Sequence, residues 1–140
     1  VVRARAIAKR VDCDLAIIDK RREKAGVSEV MNVIGDVKNK KSILIDDICD
    51  TAGTLTNAAV ALKKQGAESV YSYITHGVLS KPAIERINNS PIDKIIITDS
   101  IQANIEVINS AKIEQISIAH LIGEAINRIS DNRSVSSLFA

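Results

Sequence analysis

The sequence predicts an α/β fold with an open, mostly parallel sheet flanked by helices. Short apolar runs of strand length recur along the chain, and segments with helical spacing separate them. One of the apolar runs ends in two carboxylates, and small residues follow it at the start of a helix. Because the chain has 140 residues, we expect a single domain over residues 1–140 with its own core.

The composition excludes several classes of protein. With 46% hydrophobic and 26% charged residues, the chain is too apolar for a disordered segment, and no apolar run is long enough to cross a bilayer. The net charge of +2 and an aromatic content of 2% disfavour a nucleic-acid partner. Cys13 and Cys49 lack metal-site or CxxC spacing. We therefore expect a cytoplasmic protein with free thiols and no membrane partner.

The first third of the chain is predicted to hold a helix and a hairpin. Apolar residues at helical spacing indicate an amphipathic helix over residues 1–11, which lacks a capping residue at its start. The run at 15–19 indicates a buried strand, and the charged, aperiodic segment 20–29 indicates a loop. The weak alternation of 30–37, with a glycine near its end, predicts a strand that pairs back on the preceding one.

A strand–helix–strand unit follows. The β-branched run SILIDD, residues 42–47, predicts a central parallel strand that is covered on both faces. The spacing of apolar residues over 55–62 predicts a helix that ends before Gly66. The segment 69–76 is the next strand, so that the two strands are expected to run parallel.

The last third continues the alternation. Ser80 and Pro82 open a short predicted helix that runs through Ile87. Strands are predicted at 94–98 and 113–118, and an apolar stripe predicts a closing helix over 118–129. The stripe consists of Ile118, Leu121, Ile122, Ala125, Ile126 and Ile129.

The junction between the strand at 42–47 and the helix after it is the candidate site, because ligands of open α/β sheets bind beyond the carboxyl ends of strands. Its small residues would let backbone N–H groups converge on an anion at the helix start, with Gly53 supplying backbone freedom. Its carboxylates could accept hydrogen bonds from sugar hydroxyls. Together they predict a receptor for a sugar phosphate, although an acidic pair that only caps a helix is the simpler alternative. The residues concerned are Asp46, Asp47, Asp50, Thr51, Ala52, Gly53 and Thr54.

These residues carry a resemblance to a known family. The segment IDDICDTAGT resembles the phosphoribosyl-diphosphate signature of type I phosphoribosyltransferase folds. Six further segments narrow the resemblance to the ribose-phosphate pyrophosphokinases and occur in the order which that family has: VVRARAIAKRV, LAIIDKRR, VSEVMNVIGDV, THGVLS, AIERINNS and SVSSLF. The likeness covers essentially the whole chain and corresponds to the C-terminal part of that two-domain enzyme.

The resemblance implies a reaction and roles for the site residues. ATP and ribose 5-phosphate would give phosphoribosyl diphosphate and AMP, with Mg²⁺ as the cofactor. Asp50, Thr51, Ala52, Gly53 and Thr54 would form the loop that holds the 5-phosphate. Asp46 and Asp47 would face the ribose hydroxyls.

The loop DKRRE would be the second part of the site. Phosphoryl transfer needs positive charge near the oxygens that become negative, and a basic loop could close over them. By resemblance, Lys20 and Arg22 are catalytic residues, Arg22 also contributes to ribose 5-phosphate binding, and Arg21 faces solvent. Without the resemblance, a charged loop is more simply a solvated one.

Other polar residues fit structural roles as well as functional ones. His76, Asp99 and Ser100 follow strand ends and could border the cleft, and a structural hydrogen bond is an equal alternative for His76. His120 is expected on the surface or at a cap, and Cys49 is expected to pack inward as a small hydrophobe.

The resemblance also implies missing parts and partners. The chain opens with Val1, and its single methionine is Met31, so we expect a fragment, a processed product or an unusual start. The resemblance implies a half of a longer synthetase that lacks the ATP-binding and main metal-binding elements. Such a half would be inactive alone and would pair with a separate N-terminal half or a full-length synthetase. The tail 131–140 would be disordered or mediate homo-oligomerisation through Val135, Leu138 and Phe139.

Two other functions compete with this hypothesis. A phosphoribosyltransferase would share the fold and ligand, but the chain offers no segment for a base-recognition hood. A non-catalytic ribose-phosphate-binding or synthetase-associated module would share the fold but usually degrades the signature, which persists here.

Overall fold

Helices and strands alternate through the described residues, 2–21 and 30–139, of the computed structural model. The elements are α1 (Val2–Val11), β1 (Ile17–Arg21), β2 (Val30–Ile34), β3 (Lys41–Cys49), α2 (Gly53–Lys64), β4 (Ser69–Gly77), α3 (Ala83–Asn88), β5 (Lys94–Thr98), α4 (Ile105–Ile108), β6 (Ile113–Ile116), α5 (Ala119–Ser130) and a 3₁₀ helix, Ser136–Leu138. Each predicted helix and strand is confirmed, with shifted bounds, and the sequence pattern missed α4 and the 3₁₀ helix.

The main sheet has four strands in the order β3-β4-β5-β6, all parallel, which confirms the predicted fold class. The prediction of a central position for β3 is wrong, because among the described residues β3 pairs only with β4 and forms an edge. Ile43 exposes 55% of its surface on this strand. A β-branched run indicates a preference for strand conformation and for apolar surroundings. It does not determine how many other strands pair with it in the sheet.

The core lies between the sheet and helices α2 and α3. Val70, Ile95 and Ile97 project from the strands and are at most 1% exposed, and each such side chain contributes roughly 1.5–3 kcal/mol by leaving water. Helix α2 covers this face with the residues that its periodicity predicted, Leu55, Ala58, Ala59 and Leu62, all of them buried. The packing fixes the start of α2 against the carboxyl end of β3.

A separate two-stranded sheet precedes the main one. Strands β1 and β2 pair antiparallel, with Ile17 opposite Ile34 and Arg21 opposite Val30, which confirms the predicted hairpin. The loop was predicted to begin at residue 20, but the pairing with β2 carries the backbone of β1 on to Arg21. Residues 22–29 lie outside the described residues.

The C-terminal helix leaves its apolar stripe uncovered. No residue of α5 is buried, and Leu121, Ile122, Ile126 and Ile129 expose between 39% and 65% of their surface. In the tail, Phe139 is 56% exposed and its carbonyl accepts a hydrogen bond from Arg10 of α1. Disorder or self-association of this tail stays a prediction. Among the described helices, none is long and apolar enough to cross a membrane.

Candidate functional site

A concavity of about 240 Å³ lies where β3 ends and α2 begins. It occupies the carboxyl edge of the parallel sheet, the position where this class of fold binds ligands. The structure brings six of the predicted site residues together here, whereas Asp47 is not among the lining side chains. The lining consists of Asp46, Ile48, Cys49, Asp50, Thr51, Ala52, Gly53, Thr54, Leu55 and Ile74.

The first turn of α2 presents unpaired amides to this concavity. The helix begins at Gly53, and its first intrahelical bond runs from the Thr56 N–H to the Ala52 carbonyl at 2.9 Å. Within residues 2–21 and 30–139, the N–H groups of Gly53, Thr54 and Leu55 donate to no protein acceptor. Free first-turn amides and the positive end of the helix dipole favour a bound anion.

The residue with special backbone geometry is Ala52, and not Gly53 as the sequence suggested. Ala52 precedes the helix with φ 59° and ψ 5°, in the left-handed region, and is only 4% exposed. Gly53 already belongs to the right-handed helix, and a Cβ built on it would meet the Arg86 Nη1 at 3.5 Å, an ordinary contact. Left-handed backbone is costly for alanine, so the surrounding contacts must hold it in place.

Three hydrogen bonds turn the loop carbonyls away from the concavity. The Thr51 carbonyl accepts from Nη1 of Arg86, on α3, at 2.9 Å. The Ala52 carbonyl accepts from both the N–H and the hydroxyl of Thr56, each at 2.9 Å. Sequence reasoning missed Arg86 in this role, because it lies 35 residues from Thr51 and no local spacing connects the two.

The two neighbouring acids of β3 point in different directions, as successive strand residues do. The Asp46 side chain lines the concavity, and its Oδ1 accepts from the N–H of Asp47 at 2.9 Å. The Asp47 Oδ2 lies 2.8 Å from Nη1 of Arg3, on α1. This guanidinium, with help from the Asp46 side chain, lowers the pKa of Asp47 below its usual range. The structure therefore offers Asp46 to a ligand and gives Asp47 an ion-pair partner.

Cys49 packs beneath the loop, which confirms the expectation that it faces inward. It is 4% exposed, and burial raises the pKa of its thiol to about 11. The thiolate is the nucleophilic form of cysteine, so this residue is poorly suited to covalent chemistry at neutral pH.

The polar residues at the ends of β4 and β5 make structural contacts. His76 Nδ1 lies 2.9 Å from the Ser100 hydroxyl, which in turn donates to the Thr75 carbonyl at 3.0 Å. The carboxylate of Asp99 accepts from the Ile118 N–H at 2.8 Å and from the Ser117 hydroxyl, and these bonds lower its pKa. None of these residues lines the concavity. His120 is exposed on α5.

The loop predicted to be catalytic falls largely beyond the described part of the chain. The backbone of Lys20 lies in β1 opposite Met31, and Arg22 lies outside the described residues. The roles predicted for Lys20 and Arg22 therefore stay predictions.

The fit of the site to Mg²⁺ is partial. Over residues 2–21 and 30–139, no cluster of three or more His, Cys, Asp or Glu side chains is disposed to hold a metal. Asp46 and Asp50 are the carboxylates that line the concavity. Mg²⁺ commonly binds through substrate phosphates and one or two carboxylates, but these residues alone do not form a metal site.

A wider cavity of about 390 Å³ lies between α2 and α3. Its lining includes Arg86 and Thr56, the two side chains that hold the loop carbonyls, together with Glu85, Asn57 and Asn89. It contains none of the acids at the end of β3 and none of the unpaired amides. The smaller concavity is therefore the stronger candidate for binding an anionic sugar.

Comparison with known proteins agrees with this fold. Ribose-phosphate pyrophosphokinases from Granulibacter bethesdensis and Rhizobium meliloti are 62% and 60% identical over 99% of this chain, which spans 45% of each relative. A crystal structure of phosphoribosylpyrophosphate synthetase from Mycobacterium smegmatis superposes with a TM-score of 0.80 and 34% identity, over 94% of this chain and 43% of that one. The chain thus spans about half the length of the curated relatives it matches. Residues 5–140 match the family model of the phosphoribosyl synthetase-associated domain, and the chain belongs to that family.

Proposed function

We propose that this chain is the ribose 5-phosphate-binding half of a ribose-phosphate diphosphokinase and corresponds to its C-terminal domain. The observation that carries the proposal is the concavity at the end of β3, where unpaired first-turn amides stand beside the carboxylate of Asp46. An anion donor site next to a hydroxyl acceptor matches a phosphorylated sugar. The named relatives, of which the chain spans 45%, support both the ligand and the division into halves.

Each part of the concavity then has a role in holding the sugar. The amides of Gly53, Thr54 and Leu55 bind the 5-phosphate, and the hydroxyls of Thr51 and Thr54 add donors. Asp50 completes the loop, and Asp46 accepts hydrogen bonds from the ribose hydroxyls. Holding the sugar by its 5-phosphate and by its ring hydroxyls orients the anomeric hydroxyl. Such positioning is a large part of the rate gain in group transfer.

The proposed reaction transfers a diphosphoryl group. The anomeric oxygen forms a bond to the β-phosphorus of ATP, the bond from that phosphorus to the α-phosphate bridging oxygen breaks, and AMP leaves while the hydroxyl loses its proton. Lys20 and Arg22 would supply positive charge to the phosphate oxygens in the transition state. Mg²⁺ bound with ATP would neutralise charge on the phosphates, and its main protein ligands would lie outside this chain. We therefore expect the isolated chain to bind ribose 5-phosphate without turning it over.

Calorimetric titration distinguishes binding of the 5-phosphate from binding of the ribose hydroxyls. The Thr54→Val variant should weaken binding of both ribose 5-phosphate and inorganic phosphate, whereas Asp46→Asn should weaken ribose 5-phosphate alone. Loss of a hydrogen bond to a charged group costs about 1.5–3 kcal/mol, or roughly tenfold or more in affinity. Thr75→Val and Asp131→Asn, at exposed positions outside the concavity, are matched controls. Equal affinities in all five proteins would move the sugar site elsewhere.

Turnover is tested by reconstitution. The purified chain with ATP, Mg²⁺ and ribose 5-phosphate should form no phosphoribosyl diphosphate, and addition of the N-terminal half of a relative should restore synthesis. Product formation by this chain alone would refute the claim that it is an incomplete half.

Membership of the phosphoribosyl synthetase-associated domain family also favours a second candidate, a non-catalytic module that associates with a synthetase. Both candidates bind ribose 5-phosphate, so the binding test does not separate them. Reconstitution does: a module would leave the N-terminal half inactive and instead change the activity of a full-length synthetase.

A further inference from the structure

The backbone around Ala52 is held through two carbonyls. The Thr51 carbonyl accepts a hydrogen bond from Arg86 at 2.9 Å. The next carbonyl, that of Ala52, is bound twice by Thr56. These contacts come from α3 and α2, so two helices fix the backbone of one strained residue.

This arrangement decides which backbone groups face the concavity. With the Thr51 and Ala52 carbonyls bound on the far side, the following amides, from Gly53 to Leu55, remain free for an anion. If the Thr51 carbonyl were released, Ala52 could leave the left-handed region, whose backbone conformation is unfavourable for alanine. The loop would then lose the geometry that presents its amides.

We propose that Arg86 is a positioning residue, whose hydrogen bond to the Thr51 carbonyl keeps residues 50–54, here called the anion loop, in their binding conformation. The proposal rests on the proposed function only for the identity of the anion, because the bond itself exists without a ligand. An arginine suits this role, since its planar fork holds a carbonyl in one direction while the side chain stays exposed. Arg86 acts through the loop and is not assigned a contact with the sugar.

The first test measures the loop without any ligand. The Thr56 N–H is bound to the Ala52 carbonyl, so its hydrogen exchange reports whether that carbonyl keeps its place. Exchange should be about tenfold faster in Arg86→Met, the change expected from losing a charged hydrogen bond. Arg86→Lys should recover part of the protection, and Arg5→Met, which removes an exposed arginine from α1, should leave it unchanged.

The second test measures binding of ribose 5-phosphate and inorganic phosphate by calorimetry in the same variants. Arg86→Met should weaken both ligands about tenfold, with partial recovery in Arg86→Lys. Weaker binding with unchanged Thr56 exchange would mean direct contact with the anion and would overturn the positioning role, as would no change in either measurement. If the parent protein binds neither ligand, the proposed function fails, and Thr56 exchange still decides the role of Arg86.

Discussion

Ala52 and Ala59 form a matched pair that measures the strain stored in the anion loop. Both side chains are buried, at 4% and 0% exposure, and both belong to α2 or its cap. Replacing Ala59 by glycine in the helix interior should cost about 1 kcal/mol in propensity and about 0.8 kcal/mol in lost methyl burial, together about 2 kcal/mol. At Ala52 the same burial loss and about 0.5–1 kcal/mol of glycine entropy are offset by release of about 1–2 kcal/mol of left-handed strain. The net change there should be close to zero.

Urea unfolding of Ala52→Gly and Ala59→Gly provides the measurement. We expect the free energies of unfolding to differ by about 1.5–2 kcal/mol, with Ala59→Gly the less stable protein. The more flexible loop of Ala52→Gly should nevertheless bind ribose 5-phosphate more weakly than the parent, because glycine leaves the left-handed region freely. An equal loss of stability in both variants would show that Ala52 carries no strain and would remove the basis for a preorganised loop.

Three further outcomes follow from the ion pair, the thiols and the carboxylate beside α5. Arg3→Ala should lower the urea midpoint at neutral pH. Because Arg3 lowers the pKa of Asp47 from 3.8, the difference in midpoint between parent and variant should vanish as pH falls through that lowered value. A difference in midpoint that does not change with pH would contradict the ion pair. A thiol reagent at pH 8 should label the exposed Cys13 in the native protein and reach Cys49, with its pKa of about 11, only after unfolding; rapid labelling of both would be inconsistent with this packing. Asp99→Ala should lower the urea midpoint above pH 4 more than Asp99→Asn does, since the asparagine oxygen can still accept the hydrogen bond from the N–H at the start of α5. Equal midpoints for the two variants would argue against this hydrogen bond.

Local patterns predicted most of the fold because each depends on neighbours along the chain. The helical spacing from Leu55 to Leu62 and the β-branched run at β5 each require burial of one face, and the structure buries them. On β3, by contrast, only Cys49 is buried. The edge position of β3 was not predictable in this way, since it depends on what pairs with a strand and not on the strand itself. Helix α4 was missed because Ile105–Ile108 is a single turn, too short for periodicity to show.

The candidate site was located from its residue types, but its geometry was not. The signature placed acids and small residues at the junction of β3 and α2, where the concavity lies, yet it suggested glycine for the special backbone position, where the structure has Ala52. It also grouped Asp46 with Asp47, although the alternation of side chains along a strand directs the second toward Arg3. The contact that holds the loop beside Ala52 comes from Arg86 on α3, and the partner of Asp47 comes from α1; a local pattern reports neither. The alternation that separates Asp46 from Asp47, by contrast, could have been predicted from the strand itself.

The bond from Arg86 to the Thr51 carbonyl also limits what can be moved between proteins. A peptide that spans only the strand, the signature and its helix would carry every acid and threonine of the motif but not Arg86 on α3, which lies 35 residues beyond Thr51. Grafting that stretch onto another scaffold would transfer the residues of the signature without the Arg86 hydrogen bond to its loop. Engineering of ribose-phosphate recognition would therefore need to borrow the strand, both helices and their packing as one unit.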